Sequence, residues 1–291
     1  MIRYNPKTWF RHIFAIRHSD TVFMIWKEMI YILLFTLGLA YLEINYFSDD
    51  TRNMWGELMA VYSLIGFVLS LLLVFRTNTA YDRWWEGRKK WGELVNNTRN
   101  LAIKLSPLLK HKEDKEFFAR MIPNYAYAMK EHLRKGVLLE ELNITDEERQ
   151  RLENSDHIPN IIAFWLYERI QQLKKDGQLS EEDVIVLDTN LKTFSDIIGA
   201  CERIRNTPIP YSYSIFLKKF IFIFVTTMPL AIITDFGYYA ILINIFIFYV
   251  LVSMEILAEE IEDPFGLDDN DLPTDDLAAK IKNNVKEVMA V

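Results

Sequence analysis

Four stretches of the chain lose nearly all their polar side chains, and between the second and third lies a long segment in which apolar residues recur at helical spacing. Met29 to Leu42 is apolar apart from Thr36 and Gly38, and the run continues through Glu43 and Ile44 toward Tyr46 and Phe47. Leu58 to Phe75 carries no charge over eighteen residues. At about 1.5 Å per residue, this run nearly crosses a hydrocarbon core of about 30 Å. Phe220 to Thr234 is apolar with one proline, Pro229, and Phe236 to Met254 has Asn244 as its clearly polar side chain. Asp235 and its neighbours separate the last two runs, which read as a helical hairpin. The pattern predicts four membrane helices, although burial inside a large soluble protein stays open for the short first run.

The segment between Phe75 and Tyr213 has no Gly/Ser linker and no repeat. Phe117, Met121, Tyr125 and Met129 form one helical stripe, and Ile161, Phe164, Trp165 and Ile170 suggest another. Thr145 before Asp146, Glu147 and Glu148, and Ser180 before Glu181, Glu182 and Asp183, mark helix starts. No stretch alternates with period two long enough to predict a sheet. The fold class is therefore an all-α membrane protein. Its predicted parts are a segment over 1–28, two spans over 29–75 with the second helix at 55–75, a helical region over 76–213, two spans over 214–257 and a tail over 258–291.

Lysine and arginine set the orientation, because cationic loops stay cytoplasmic. Arg11, Arg17 and Lys27 precede the first span, Arg76, Arg83, Arg88, Lys89 and Lys90 follow the second, and Arg203, Arg205, Lys218 and Lys219 precede the third. Only Arg52 lies between the first two spans. Both termini are expected in the cytoplasm, with an even number of spans and no cleaved signal peptide at the amino terminus. The chain has 291 residues, 51% hydrophobic, with a net charge of -7. Its mean hydropathy of +0.02 averages apolar spans with charged helices. An acidic chain is a poor match for nucleic acid. One cysteine, Cys201, excludes an intramolecular disulfide, and the five histidines lack HxxxH or HExxH spacing.

Four largely apolar spans do not easily enclose an aqueous path within one subunit, whereas a closed ring of subunits does. Phe67, Leu71 and Phe75 recur at i, i+4 and i+8 and share one face of the second span, with Ser63, Gly66 and Ser70 nearby. Repeated around an axis they would make apolar rings that dewet; spacing alone favours the reading that they face lipid or another helix.

The residues after this span, Phe75-Arg76-Thr77-Asn78-Thr79-Ala80-Tyr81-Asp82-Arg83-Trp84-Trp85-Glu86-Gly87, resemble the bestrophin family of ion channels, in its bacterial branch. Cys201-Glu202-Arg203 with Thr207-Pro208-Ile209-Pro210-Tyr211-Ser212-Tyr213, and Glu259-Glu260-Ile261-Glu262-Asp263-Pro264-Phe265-Gly266, match in the same order. The resemblance implies a homopentamer in the bacterial inner membrane with one central pore. It places a membrane neck at Phe67, Leu71 and Phe75, and a second, cytosolic aperture near Glu182 or, allowing for a short insertion, Ile185. Arg76, Asn78, Tyr81 and Arg83 belong to the vestibule motif. There the two arginines either concentrate anions or, as the favoured reading, orient the helix. In the family's animal members an acidic stretch after the last span clasps Ca²⁺. Asp268 and Asp271 occupy matching positions and Asp263 the backbone-ligand position, but Leu267 replaces an acid. A solvated acidic loop is the alternative, and no cofactor is otherwise required.

The expected function is a channel for small monovalent ions, not an enzyme, with lipid and copies of itself as partners. The acidic balance and a Glu182 ring favour cations. An anion channel of the same architecture is the alternative, and a membrane-anchored interaction protein without flux is the second.

Overall fold

The computed structural model describes residues 21–290, so Arg11 and Arg17, most of the 1–28 segment and Val291 lie outside the described residues. Within them all regular structure is helical. The helices are α1 (Thr21–Tyr46), α2 (Asp49–Gly56), α3 (Met59–Leu105), α4 (Lys112–His132), α5 (Asp146–Glu153), α6 (Ile158–Lys175), α7 (Glu181–Asn206), α8 (Tyr211–Thr227), α9 (Pro229–Phe236), α10 (Tyr239–Glu262) and α11 (Thr274–Met289). They form two compact units: a spanning unit of residues 21–83 and 208–262, and a helical unit of residues 84–207 and 263–290.

The spanning unit contains four segments long and apolar enough to cross a membrane, Thr21–Tyr46, Asp49–Leu105, Tyr211–Phe236 and Tyr239–Glu262. The first was the shortest apolar run, yet its helix has 26 residues, because Thr21 to Glu28 and Glu43 to Tyr46 extend it at both ends. Helix α3 also runs past its hydropathy boundary. It passes unbroken through Phe75 and Arg76 to Leu105, since the polar residues there are compatible with a helix and no glycine cap or proline intervenes. The change at residue 75 is one of environment, and the division between units falls later, at Arg83 and Trp84. Pro229 stands at the first position of α9, where a missing N–H costs nothing.

Helix α1 packs along α10, and polar side chains pin the pair where water is absent. Asn244 Nδ2 donates to Thr36 Oγ1 at 2.8 Å, both residues fully buried, and the Thr21 and Ser253 hydroxyls lie 2.6 Å apart. Thr234 Oγ1 donates to the buried Glu43 at 3.0 Å. Hydroxyls on the outer faces return to their own backbone, as Ser63 does to Met59 at 2.9 Å and Ser70 to Gly66 at 2.8 Å. Those two hydroxyls thus present no unmet donor.

In the helical unit both predicted helix starts are capping boxes. Thr145 pairs with Glu148, and Ser180 with Asp183. Met121, Tyr125 and Met129 are fully buried, while Phe164 of the second stripe is exposed and Trp165 and Ile170 carry that contact. Tyr125 Oη donates to the Phe194 carbonyl at 2.6 Å, joining α4 to α7.

A charge clamp fastens α11 to α4. The buried Lys130 lies 2.7 Å from Glu141 and from Asp275, and 3.0 Å from Glu131. Arg134 reaches Asp275 at 2.7 Å. The Arg134 hydrogen bond, opposed by partial burial and helped by Lys130, holds the Asp275 carboxyl down at about 2. Because this lies below the ordinary carboxylate value, the clamp contributes fully above about pH 4, and its contribution is lost as the pH falls through about 2. Asp275→Asn should therefore lower the melting midpoint at neutral pH and flatten its fall between those limits. An acid profile unchanged from the parent would remove the clamp from the unit's acid sensitivity.

Candidate functional site

Helix α3 is two-faced within the spanning unit. Leu69, Leu73 and Arg76 are buried, with 0%, 4% and 1% of their surface exposed. Phe67, Leu71 and Phe75 point outward, at 61%, 43% and 63%. Asn78 and Tyr81 continue the outer face toward the end of the unit. A Cβ on Gly66 would meet the Phe224 ring at 3.4 Å, an ordinary van der Waals contact. The three apolar residues therefore share an unpartnered face of one chain, built from large side chains with the neighbouring hydroxyls satisfied internally.

Arg76 lies on the other face. Its Nη1 is 2.6 Å from Glu262 Oε2 and its Nε is 3.5 Å from Glu255 Oε2. The free oxygen of Glu262, Oε1, accepts from the Ile209 N–H at 2.6 Å, and the Glu262 carbonyl accepts from Arg83 Nε at 3.0 Å. Tyr213 Oη donates to the Leu72 carbonyl at 3.1 Å. Residues from all three sequence motifs thus meet at Glu262. The two arginine side chains are committed to this junction, which leaves little of Arg76 to attract ions in a vestibule. Sequence reading quoted Glu262 without assigning it a role and passed over Glu255. An acid inside or at the end of an apolar run is the signal that could have found both.

In the helical unit, residues 263–272 form a tight turn over the start of its share of α3. Trp84 Nε1 donates to the Asn270 carbonyl at 3.0 Å, and Leu272 N to the Pro264 carbonyl at 2.9 Å. A Cβ on Gly87 would come within 3.1 Å of Phe265 and 3.2 Å of Pro264. Of the three expected calcium ligands, Asp263 and Asp268 are exposed and Asp271 is buried. Asp271 Oδ2 accepts from the Asp268 N–H at 2.7 Å, and its buried Oδ1 has no partner. Burial pushes this carboxyl up to about 6, although the Asp268 hydrogen bond works the other way. One unsatisfied oxygen fits a cation. The remaining ligands of a Ca²⁺ shell of six to eight oxygens would have to come from the exposed acids, carbonyls and water.

At the start of α7, Asp183 completes the cap, so Glu182 is left pointing into solvent. Its own backbone N–H and the Ser180 hydroxyl hold the Glu182 carboxyl below its usual range within one chain. Ile185 and Val186, one turn on, are exposed. Sequence reading missed their neighbour Lys104. Its Nζ donates to the Val186 carbonyl at 3.1 Å, to Asn190 Oδ1 at 2.7 Å and to Thr189 Oγ1 at 3.4 Å. All three are neutral oxygens, and among the described residues no carboxylate forms an ion pair with it.

Four apolar spans, an outward aromatic and aliphatic face and a charge junction at the span ends define an all-helical, multi-span membrane protein. The chain belongs to the bestrophin family: the model for bacterial and fungal bestrophin proteins matches residues 1–287. A protein of Nostoc sp. named as voltage-dependent anion channel-forming is 34% identical over 98% of this chain and 93% of its own length. The similarly named YneE of Escherichia coli K12 is 31% identical over 94% of this chain and 89% of its own. The crystal structure of a bacterial bestrophin homologue from Klebsiella pneumoniae superposes with a TM-score of 0.81 at 27% identity, covering 91% of this chain and 98% of that one.

Proposed function

We propose that this chain is an ion channel of the bacterial inner membrane, not an enzyme, and that it assembles as a homopentamer around a central pore lined by α3. The observation that carries the reading is the outward face of Phe67, Leu71 and Phe75. In a ring these residues would narrow the path with apolar surface and hold it closed by excluding water. Both termini lie on the cytoplasmic side, supported by the cationic residues that flank the span ends away from the short loop containing Arg52. Membrane lipid is the remaining partner.

An apolar neck has no sign of its own, so the ion preference is set elsewhere. The names of the Nostoc and Escherichia relatives support anions over the cation preference expected from the acidic composition. Lys104 supports the same sign, since its ammonium sits unneutralised beside Ile185 and Val186, where the aperture is proposed. Glu182 favours cations at the same end, and an exposed carboxylate that stays ionised would act in that direction.

The deciding experiment is the reversal potential of purified protein in a planar bilayer under a KCl gradient. Reversal near the Cl⁻ potential is expected, moving toward zero in Lys104→Gln and little in Glu182→Gln. Reversal near the K⁺ potential, abolished in Glu182→Gln, would restore the cation reading. No current in any condition would leave a membrane-anchored interaction protein. The same recordings with and without Ca²⁺ test the tail. Calcium control through Asp263, Asp268 and Asp271 predicts a change in open probability that Asp271→Asn removes, and identical traces would exclude it.

A further inference from the structure

A second group of ligand-type side chains stands apart from the pore and the acidic tail, inside the helical unit. His132 is the last residue of α4, His157 is the N-cap of α6, and Glu202 lies in the last turns of α7. Both imidazole Nε2 atoms are 2.8 Å from the same carboxylate oxygen, Glu202 Oε1, and the ring centroids are 4.4 Å apart. One ligand atom of each residue lies within 4.8 Å of the other two. The side chains are between 22% and 30% exposed, held by three helices yet open to water on one side.

We propose that His132, His157 and Glu202 form a binding site for a transition-metal dication of the zinc class, one ion per chain. Two imidazole nitrogens and one carboxylate oxygen, with a position left for water, are the ligands zinc takes. Calcium and magnesium demand oxygen alone. The carboxylate is already the shared acceptor of both imidazoles through one oxygen. The surrounding charge is mixed. Arg205 donates to the His132 carbonyl at 2.7 Å and opposes a dication, while the neighbouring Arg203 is paired with Glu86 at 2.8 Å.

Without metal, the cluster is a hydrogen-bonded hub in which the Nε2 protons of both rings point at Glu202. The ion takes their place, and each imidazole stays neutral by carrying its proton on Nδ1 instead. For His157 this shift has a consequence elsewhere. Its Nδ1 accepts from the Asn160 N–H at 3.2 Å, the contact that caps α6, and a protonated Nδ1 is no longer an acceptor. Metal binding therefore opens the first turn of α6. Adventitious binding to surface histidines has no such effect.

The test is zinc titration of the full chain in detergent, read by equilibrium dialysis and by amide hydrogen exchange. His157→Asn is the guarded variant, because asparagine is a good N-cap and still accepts from Asn160 while losing the imidazole. The parent should hold one zinc per chain that excess Ca²⁺ does not displace. Affinity should fall by at least about tenfold in His157→Asn and in His132→Ala. Zinc should also speed exchange at the Asn160 amide of the parent alone. Failure of the parent to retain zinc, or retention undiminished in both variants, would overturn the site. Neither result bears on the channel reading, which is tested by current.

Discussion

Replacing Phe67, Leu71 and Phe75 together by alanine is expected to turn a mostly closed channel into one that conducts readily. Each phenylalanine-to-alanine exchange removes most of an apolar side chain that is outward-facing in a single chain and, in the proposed ring, would lie near the axis. Widening the constriction admits a continuous water column, so the barrier to an ion falls, and each ~1.4 kcal/mol of barrier removed raises the rate about tenfold. The triple variant should raise macroscopic current by about an order of magnitude or more, and Phe75→Ala alone by less. The ion preference should be unchanged, because no charge is altered. These side chains are outward in the monomer and unneeded for its core, so the melting midpoint should move little. Currents equal to the parent's in the triple variant would assign this face to lipid and remove the neck from gating.

The opposite face of α3 should respond in the opposite way. Arg76→Leu leaves Glu255 and Glu262, both largely buried, without their cation. Removing one partner of a buried charge group costs about 3–5 kcal/mol, because the stranded charge has neither water nor a counterion. The variant should therefore express poorly and melt well below the parent in detergent. Arg76→Lys should recover part of the loss, since an ammonium supplies the charge without the guanidinium's spread of donors. The double exchange Arg76→Leu/Glu255→Leu should also recover part of the loss, because it removes one of the two stranded carboxylates. A melting midpoint for Arg76→Leu equal to the parent's would refute a structural role for the junction.

These two faces show how unevenly the molecule was legible. The spans are local features, and a charge-free run such as Leu58 to Phe75 can be read directly because leaving water is a property of the run itself. The caps at Thr145 and Ser180 are equally local, since the side chain bonds an N–H three residues on. The outer-face triad could be placed by spacing because 3.6 residues per turn fixes which positions share a face. The Glu262 junction joins residues 76, 83, 209, 255 and 262, and no window of sequence contains more than two neighbours from that set. The zinc-class triad draws on residues 132, 157 and 202, so no ligand-spacing rule could report it. Phe164 failed for the same reason: its position in the stripe was correct for a helix, but the packed neighbours took Trp165 and Ile170 instead.

From the sequence alone came the all-helical class, the four spans, the family and the outer face of α3, because hydrophobic runs, caps and motif order act within one helix or one segment. Only the tertiary structure decided that Arg76 is neutralised by Glu255 and Glu262. It also decided that, among the described residues, no carboxylate pairs with Lys104, and that two distant histidines share one carboxylate. Each of those depends on which charged or polar groups the packed backbone brings within about 3 Å, the range over which a hydrogen bond or ion pair forms. Local pattern carries no information about that distance.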